Sequence, residues 1–204
     1  MSIILAIVFA AILITIGILR PRHARKPVTQ VLVRRYTHPG HGWVRMTEDG
    51  DVLVGMDDFA QSVIGSVDSV VLPRLLKRVK QGGAAWEVVH GGRKLKIVSP
   101  VSGWVVEKNE MVLNNPSLIN TSPYGDGWLF KVHPTKLSPQ LSNLLTGKTV
   151  AEWQDTVRTH LSRFFSATPA LMYQDGGVMI PNLSERCSDQ EWKSLSKEFF
   201  LTEA

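Results

Sequence analysis

His38 and His41 stand three apart across Pro39-Gly40, a spacing that could turn two imidazoles toward one metal ion. A protein metal site normally draws three or four ligands. No acid or cysteine accompanies the pair, so they read as loop imidazoles rather than a centre. Cys187 is the single cysteine. It excludes an internal disulfide framework and any cysteine-rich zinc or iron–sulfur site, and it lacks a context that would make it a nucleophile. Ser99-Pro100-Val101-Ser102-Gly103 has the look of a serine pattern, but the chain holds no Gly-rich phosphate loop, HExxH helix or nucleophile elbow. No residue is assigned a catalytic role. The expectation is a protein that is not an enzyme and holds no metal and no cofactor of its own.

The elements that would position any such chemistry must fit within 204 residues, enough for one ordinary domain with appendages. Apolar residues make up 44% and charged residues 20%, a globular rather than a disordered balance. Against 18 Asp plus Glu stand 23 Lys plus Arg, a formal charge of +5. Arg20, Arg22, Arg25, Lys26, Arg34 and Arg35 form one collar with no acid among them. Without that collar the remainder is slightly acidic, so the charge does not describe a groove that tracks phosphates, and no nucleic-acid partner is expected.

Residues 3–19 read IILAIVFAAILITIGIL, apolar throughout and free of charge. At about 1.5 Å per residue this is a short but sufficient bilayer span. A cleaved signal would carry a basic leader and a small-residue cleavage site; here Met1-Ser2 precedes the run and the basic collar follows it. Residues 1–19 are therefore expected to be a retained transmembrane anchor and 20–35 a basic juxtamembrane linker. Lys and Arg stay on the cytoplasmic side. The reading is thus a single-pass membrane protein, N-terminus out, with a cytoplasmic soluble domain and the lipid bilayer as a partner through residues 3–19.

From Trp43 the pattern turns to short strands. WVRM and DVLVGM flank Asp49-Gly50, a hairpin signal. DDFAQSVIG (57–65) reads as a helix with Asp57 or Asp58 at its start and Gly65 at its end. SVDSVVLP, AAWEVVH, KLKIVSP, GWVVEKN and GWLFKVH are further strands at the spacing of a small sandwich. SPQLSNLL (138–145) reads as a short helix capped by Ser138.

HGWVRM, VGMDDFAQ…IG, SPVSGWVVEKNE and NNPSLINTSPYGDGWLFKV together resemble the H protein of the glycine cleavage system, over residues 36–146. The resemblance implies a mainly β fold, a lipoyl-like flattened sandwich of two small sheets (a barrel-sandwich hybrid) with short helices. It also implies a hairpin that presents a carrier lysine, and it makes the 99–103 serines part of a strand and turn. In that family the lysine lies in an acidic ESVKA-type hairpin just before the SPVSG block. Counting back without a gap places it at Gly92, inside His90-Gly91-Gly92-Arg93-Lys94-Leu95-Lys96, and the acidic residue before it at Val89.

Glycine has no amine to acylate. Gly91-Gly92 suits a tight turn, so the hairpin is expected to survive without its attachment chemistry. Lys94, two residues on, is the alternative carrier, with Arg93 beside it and no acidic neighbour. The family's acidic segment is replaced here by LPRLLKRVKQGG. In the implied fold Arg74, Lys77, Arg78, Lys80, Arg93, Lys94 and Lys96 form one basic, partner-binding face. Like charge at an interface costs several kcal/mol, so the usual partners of an acidic face would be turned away.

Residues 147–204 are expected to form a small α+β extension, helix–hairpin–helix. Thr149…Glu152 and Ser188…Glu191 look like capping boxes. Trp153, Val157, Leu161 with Phe164 or Phe165, and later Trp192, Leu195 and Phe199, form apolar stripes that should pack on the chain's own core. Tyr173-Gln174-Asp175-Gly176-Gly177-Val178 reads as a hairpin, and Ser166–Pro169 as a joint. The functional expectation is a membrane-anchored, non-lipoylated interaction module that holds an unknown cytoplasmic protein. The first alternative is a lipoyl carrier shuttling an aminomethyl or acyl group, with lipoate on Lys94. The second is an export-pump adaptor, which would need an extracytoplasmic domain and long coiled-coil heptads.

Overall fold

The computed structural model describes residues 34–165 and 182–202, together with the backbone of 173–174 and 178–179. The proposed anchor, most of the collar, the 166–169 joint and the tip of the 175–177 hairpin lie outside the described residues. No helix among the described residues is long and apolar enough to cross a membrane.

The strands are β1 (Arg35–Thr37), β2 (Gly42–Met46), β3 (Val52–Met56), β4 (Ser69–Val71), β5 (Arg78–Val79), β6 (Ala84–His90), β7 (Arg93–Val98), β8 (Gly103–Lys108), β9 (Phe130–Pro134), β10 (Leu145–Thr146), β11 (Tyr173–Gln174) and β12 (Val178–Met179). They build a seven-stranded sheet in the order β10-β1-β2-β3-β9-β8-β5, a three-stranded sheet β4-β6-β7, and the isolated pair β11-β12. The pairings of strands with strands are antiparallel throughout. One sheet is therefore much larger than the two small sheets expected, because β1 and β10 extend its edge beyond the β2–β3 hairpin.

Period-two alternation explains the sandwich. In β6 Trp86, Val88 and His90 turn inward while Ala85, Glu87 and Val89 lie on the outer face. Trp86 meets Phe130 of β9 edge-on, ring centroids 5.5 Å apart, which joins the two sheets. Val44, Val54, Leu95 and Ile97 complete that core, each fully buried. Gly103 is required where β8 leaves the 99–102 turn: a Cβ there would lie 2.2 Å from the His133 carbonyl oxygen.

Helix α1 (Asp58–Ile64) starts at Asp57, whose carboxylate accepts from the Ala60 amide, and stops at Gly65 (φ 87°), as expected. Short helices α2 (Glu110–Asn114) and α3 (Leu118–Thr121) lead into the loop before β9. Helix α4 (Leu137–Leu141) has Lys136 as its N-cap, two residues before the expected Ser138, and ends at Leu141 instead of running to 145. Pro139 still falls in its first turn, where a missing N–H costs nothing.

Helix α5 (Lys148–Phe164) is longer than the short helices expected of this fold, at 17 residues. Its N-cap is Gly147 (φ 60°), not Thr149. The Thr149 hydroxyl instead donates back to the Thr146 carbonyl at 2.8 Å, and Glu152 pairs with Lys148 at 3.4 Å, so the anticipated capping box does not form. Helices α6 (Leu183–Arg186) and α7 (Asp189–Phe200) close the chain. α7 has the full Ser188–Glu191 capping box. Along the expected stripes Leu161, Phe165, Trp192, Leu195 and Phe199 are buried, with Phe200 beside them, whereas Trp153, Val157 and Phe164 are only half-buried.

Candidate functional site

The β6–β7 hairpin turns on two residues. His90 pairs with Arg93, and Gly91 (φ 55°) and Gly92 (φ 79°) stand between them, both left-handed. A two-residue turn of this kind needs positive φ at both positions, and glycine supplies it without strain. A Cβ added at either glycine would meet no atom within 4 Å, so the tip opens onto solvent. It carries no nucleophile, acid or amine of its own.

Two other segments hold that tip. The Gly91 amide donates to Asp68 Oδ2 at 2.8 Å, which holds the Asp68 carboxyl below the usual carboxylate range. His90, 8% exposed, places Nδ1 3.2 Å from Ser66 Oγ and 3.3 Å from Asp68 Oδ1. Its Nε2 lies 2.6 Å from Glu185 Oε1 in α6. An imidazole set between two carboxylates satisfies both only by donating from both nitrogens. The bond to Glu185, helped by Asp68 and opposed by burial, raises the imidazole above its ordinary value.

The second restraint runs along the outer edge of β7. His90 and Arg93 close the turn, so Lys94 and Lys96 point their backbone carbonyls away from β6. Those carbonyls belong to the free edge of a sheet. The indole N–H of Trp192 donates to the Lys94 carbonyl at 3.1 Å, and the Thr202 hydroxyl to the Lys96 carbonyl at 2.7 Å. Arg93 donates to the Cys187 and Ser188 carbonyls at 2.5 and 3.4 Å, pairs with Asp189 at 3.2 Å, and lies 5.7 Å from the Trp192 ring centre. The C-terminal helices thus serve as the missing neighbour of β7.

Strand alternation divides the seven cations read from the sequence as one face. Arg74, Lys77 and Lys96 line an open groove of about 560 Å³ whose floor includes Ala85 and Glu87. Arg78 and Lys80 border another, of about 790 Å³, with Lys136. Lys94 is 64% exposed at its side chain, and its Nζ lies 3.2 Å from Glu87 Oε1. It therefore has the acidic neighbour that the sequence did not reveal, supplied across the strands. Arg93 leaves this face altogether and turns under the C-terminal segment. Reading residues in order missed His90, Asp68, Glu185 and Trp192. The last two act from 95 and 98 positions away from their partners, and no periodicity announces them.

The remaining candidates are structural. His38 accepts from the Gly40 amide at 2.9 Å. His41, buried, bonds Asp57 at 2.9 Å and stacks on Phe59. No group of three or more His, Cys, Asp or Glu that could hold a metal ion exists among the described residues. The Ser99 hydroxyl is buried and donates to the Val101 carbonyl at 2.7 Å, which fixes the turn before β8. Cys187 is buried, and desolvation, reinforced by Glu191, pushes its thiol up to about 11.

Comparison with known proteins agrees with this geometry. The family model described as glycine cleavage H-protein matches residues 34–157. A probable glycine cleavage system H protein of Pyrococcus furiosus is 38% identical over 117 residues, which span 57% of this chain and 87% of that protein. The glycine cleavage system H protein of Saccharophagus degradans is 42% identical over 97 residues, 48% of this chain and 75% of its own. The crystal structure of a glycine cleavage system H protein from Mycobacterium marinum superposes with a TM-score of 0.54 at 33% identity, covering 60% of this chain and 97% of that one. The match ends within α5, so the segment that pins the hairpin lies outside the region the family model describes. With the fold, the ordered sequence blocks and the family model in agreement, this chain belongs to the glycine cleavage H-protein family.

Proposed function

We propose that this chain is a membrane-anchored H-family protein that does not carry lipoate and works as a non-catalytic interaction module. The observation that carries the reading is the hairpin tip. Gly91 and Gly92 occupy the turn, and neither can form the amide that a swinging arm requires. The segment beyond the family match also ties β7 down through Arg93, Trp192 and Thr202. The arm of a shuttle is a lipoyl-lysine side chain, which the tip lacks, and the hairpin that would present it is bonded along its edge to its own C-terminus. In this reading the apolar run at 3–19 holds the domain at the bilayer. The groove of Arg74, Lys77 and Lys96 receives an acidic surface of a cytoplasmic protein.

One observation favours the carrier reading. Lys94 is exposed two residues beyond the tip and has Glu87 beside it. Incubating the full chain with an active lipoate ligase, ATP and lipoate, next to an ordinary H protein, separates the two. The ordinary protein gains one lipoyl mass, and this chain stays unmodified. A gain that Lys94→Arg abolishes would establish the carrier instead.

A further inference from the structure

The loop between β4 and β5 and the neighbouring edge of β8 expose apolar side chains that the core does not use. Leu75 is 53% exposed, Leu76 74%, Trp104 45% and Val106 39%. They are held together by backbone pairing. The Leu76 amide donates to the Val105 carbonyl at 2.8 Å, and the Val105 amide to the Lys77 carbonyl at 3.0 Å. Leu76 has φ 61°, a left-handed conformation that costs a leucine energy, and here it accompanies the most exposed of these side chains. The patch is therefore a set of projecting studs rather than a groove.

The charge around it has one sign. Residues 72–80 contain no acid. Arg78 sits directly across the strands from Trp104, so both side chains emerge on one face. Lys80, two residues on and exposed, follows on that face. The nearest carboxylate along β8, Glu107, is neutralised by Lys131 at 2.7 Å. Projecting leucines, an interfacial tryptophan and a cationic rim are the combination that enters the headgroup region of an anionic bilayer. A protein partner would be expected to meet apolar side chains with a concave surface at their own level; a bilayer accepts studs of any pattern.

We infer that Leu75, Leu76, Trp104 and Val106, with Arg78 and Lys80, form a face that docks on an anionic lipid surface. This rests on the membrane reading above for the presence of the bilayer. It adds that the domain lies against the membrane instead of hanging free from its tether.

The test uses the full chain with Leu76→Cys carrying a solvent-sensitive fluorophore; the native Cys187 is buried and escapes the label. The labelled protein is reconstituted in vesicles of phosphatidylcholine alone and of phosphatidylcholine with phosphatidylglycerol. Flotation is followed together with quenching by aqueous acrylamide. The expected result is loss of quenching in the anionic vesicles only, restored by Arg78→Gln with Lys80→Gln. A label at Lys148→Cys, beyond β10 at the opposite edge of the large sheet, stays quenched in both. A chain that floats with both vesicles while Leu76→Cys stays quenched in both overturns the docking face and leaves the anchor. Equal shielding in both vesicles also overturns it, because burial of the label would then not depend on anionic lipid. Flotation only with anionic vesicles, abolished by Leu75→Ser, Leu76→Ser and Trp104→Ser together, supports the face and removes the anchor. Flotation with neither overturns both.

Discussion

The Nε2 of His90, at the base of the hairpin turn, lies 2.6 Å from the Oε1 of Glu185 in the C-terminal segment. Because Asp68 faces the other ring nitrogen at 3.3 Å, the imidazole clips three parts of the chain together. It ties the strand that bears the tip to the loop before β4 and to the helix that follows the family-like domain.

That clip should depend on pH. The folded imidazole is raised above its ordinary 6.5, with the bond to Glu185 as the largest cause. A group raised in the folded state stabilises fully below its unfolded value, and the contribution is lost as pH rises through the folded value. The C-terminal segment should therefore loosen as pH rises from about 6.5 through that point. Amide exchange of residues 183–200 would show this as faster exchange than the general pH dependence predicts. Glu185→Gln should flatten the extra dependence. An unchanged profile in Glu185→Gln would show that the clip does not set it.

Trp192→Phe should cost about 1 kcal/mol, because the ring remains while the Lys94 carbonyl loses its donor. Trp192→Ala should cost roughly 3–5 kcal/mol, since the side chain is buried. Denaturant unfolding checks both. No loss for Trp192→Phe would mean that the indole N–H contributes little to holding β7.

Much of this architecture could be read in advance. The Asp49-Gly50 hairpin, the Asp57-capped helix and the Gly91-Gly92 turn rest on local chemistry, where a few adjacent residues decide the backbone. So does the Ser188 capping box. The misplaced starts of α4 and α5 have a local cause as well. Ser138 and Thr149 are good cap residues, but Lys136 and Gly147 lie where the chain leaves β9 and β10, and those strands set where each helix begins. The site itself was legible only as far as its glycines. That Arg93 leaves the basic face, that Lys94 meets Glu87, and that His90 joins Asp68 to Glu185 all follow from strand register and from the docking of distant helices. No run of adjacent residues encodes those contacts.

Restoring an amine at the tip tests whether attachment chemistry alone is missing. Gly92→Lys must adopt a left-handed conformation, at about 1–2 kcal/mol, but a side chain there meets open space. Val89→Glu adds the acidic flank on the outer face of β6. The double variant should accept a lipoyl group from an active ligase while the parent does not. A folded double variant that remains unmodified would show that the C-terminal segment or the basic surroundings also bar the ligase.

Cys187 should be chemically quiet. With its thiol pushed up to about 11 by burial, few molecules carry thiolate near neutrality. Alkylation at pH 8 should be slow in the folded protein and rapid in denaturant. Fast reaction in the folded state would mean that the segment between Arg186 and Ser188 opens readily, against the Arg93 contacts described above.

The absence of a lipoyl arm is the central claim, and the intact mass of the protein extracted from its native cells tests it most directly, with peptides mapped across Trp86–Lys96. The account predicts the unmodified mass and an unmodified hairpin peptide in cells whose other H proteins carry lipoate. A lipoyl adduct on Lys94 or Lys96 would contradict it and make the chain a working carrier.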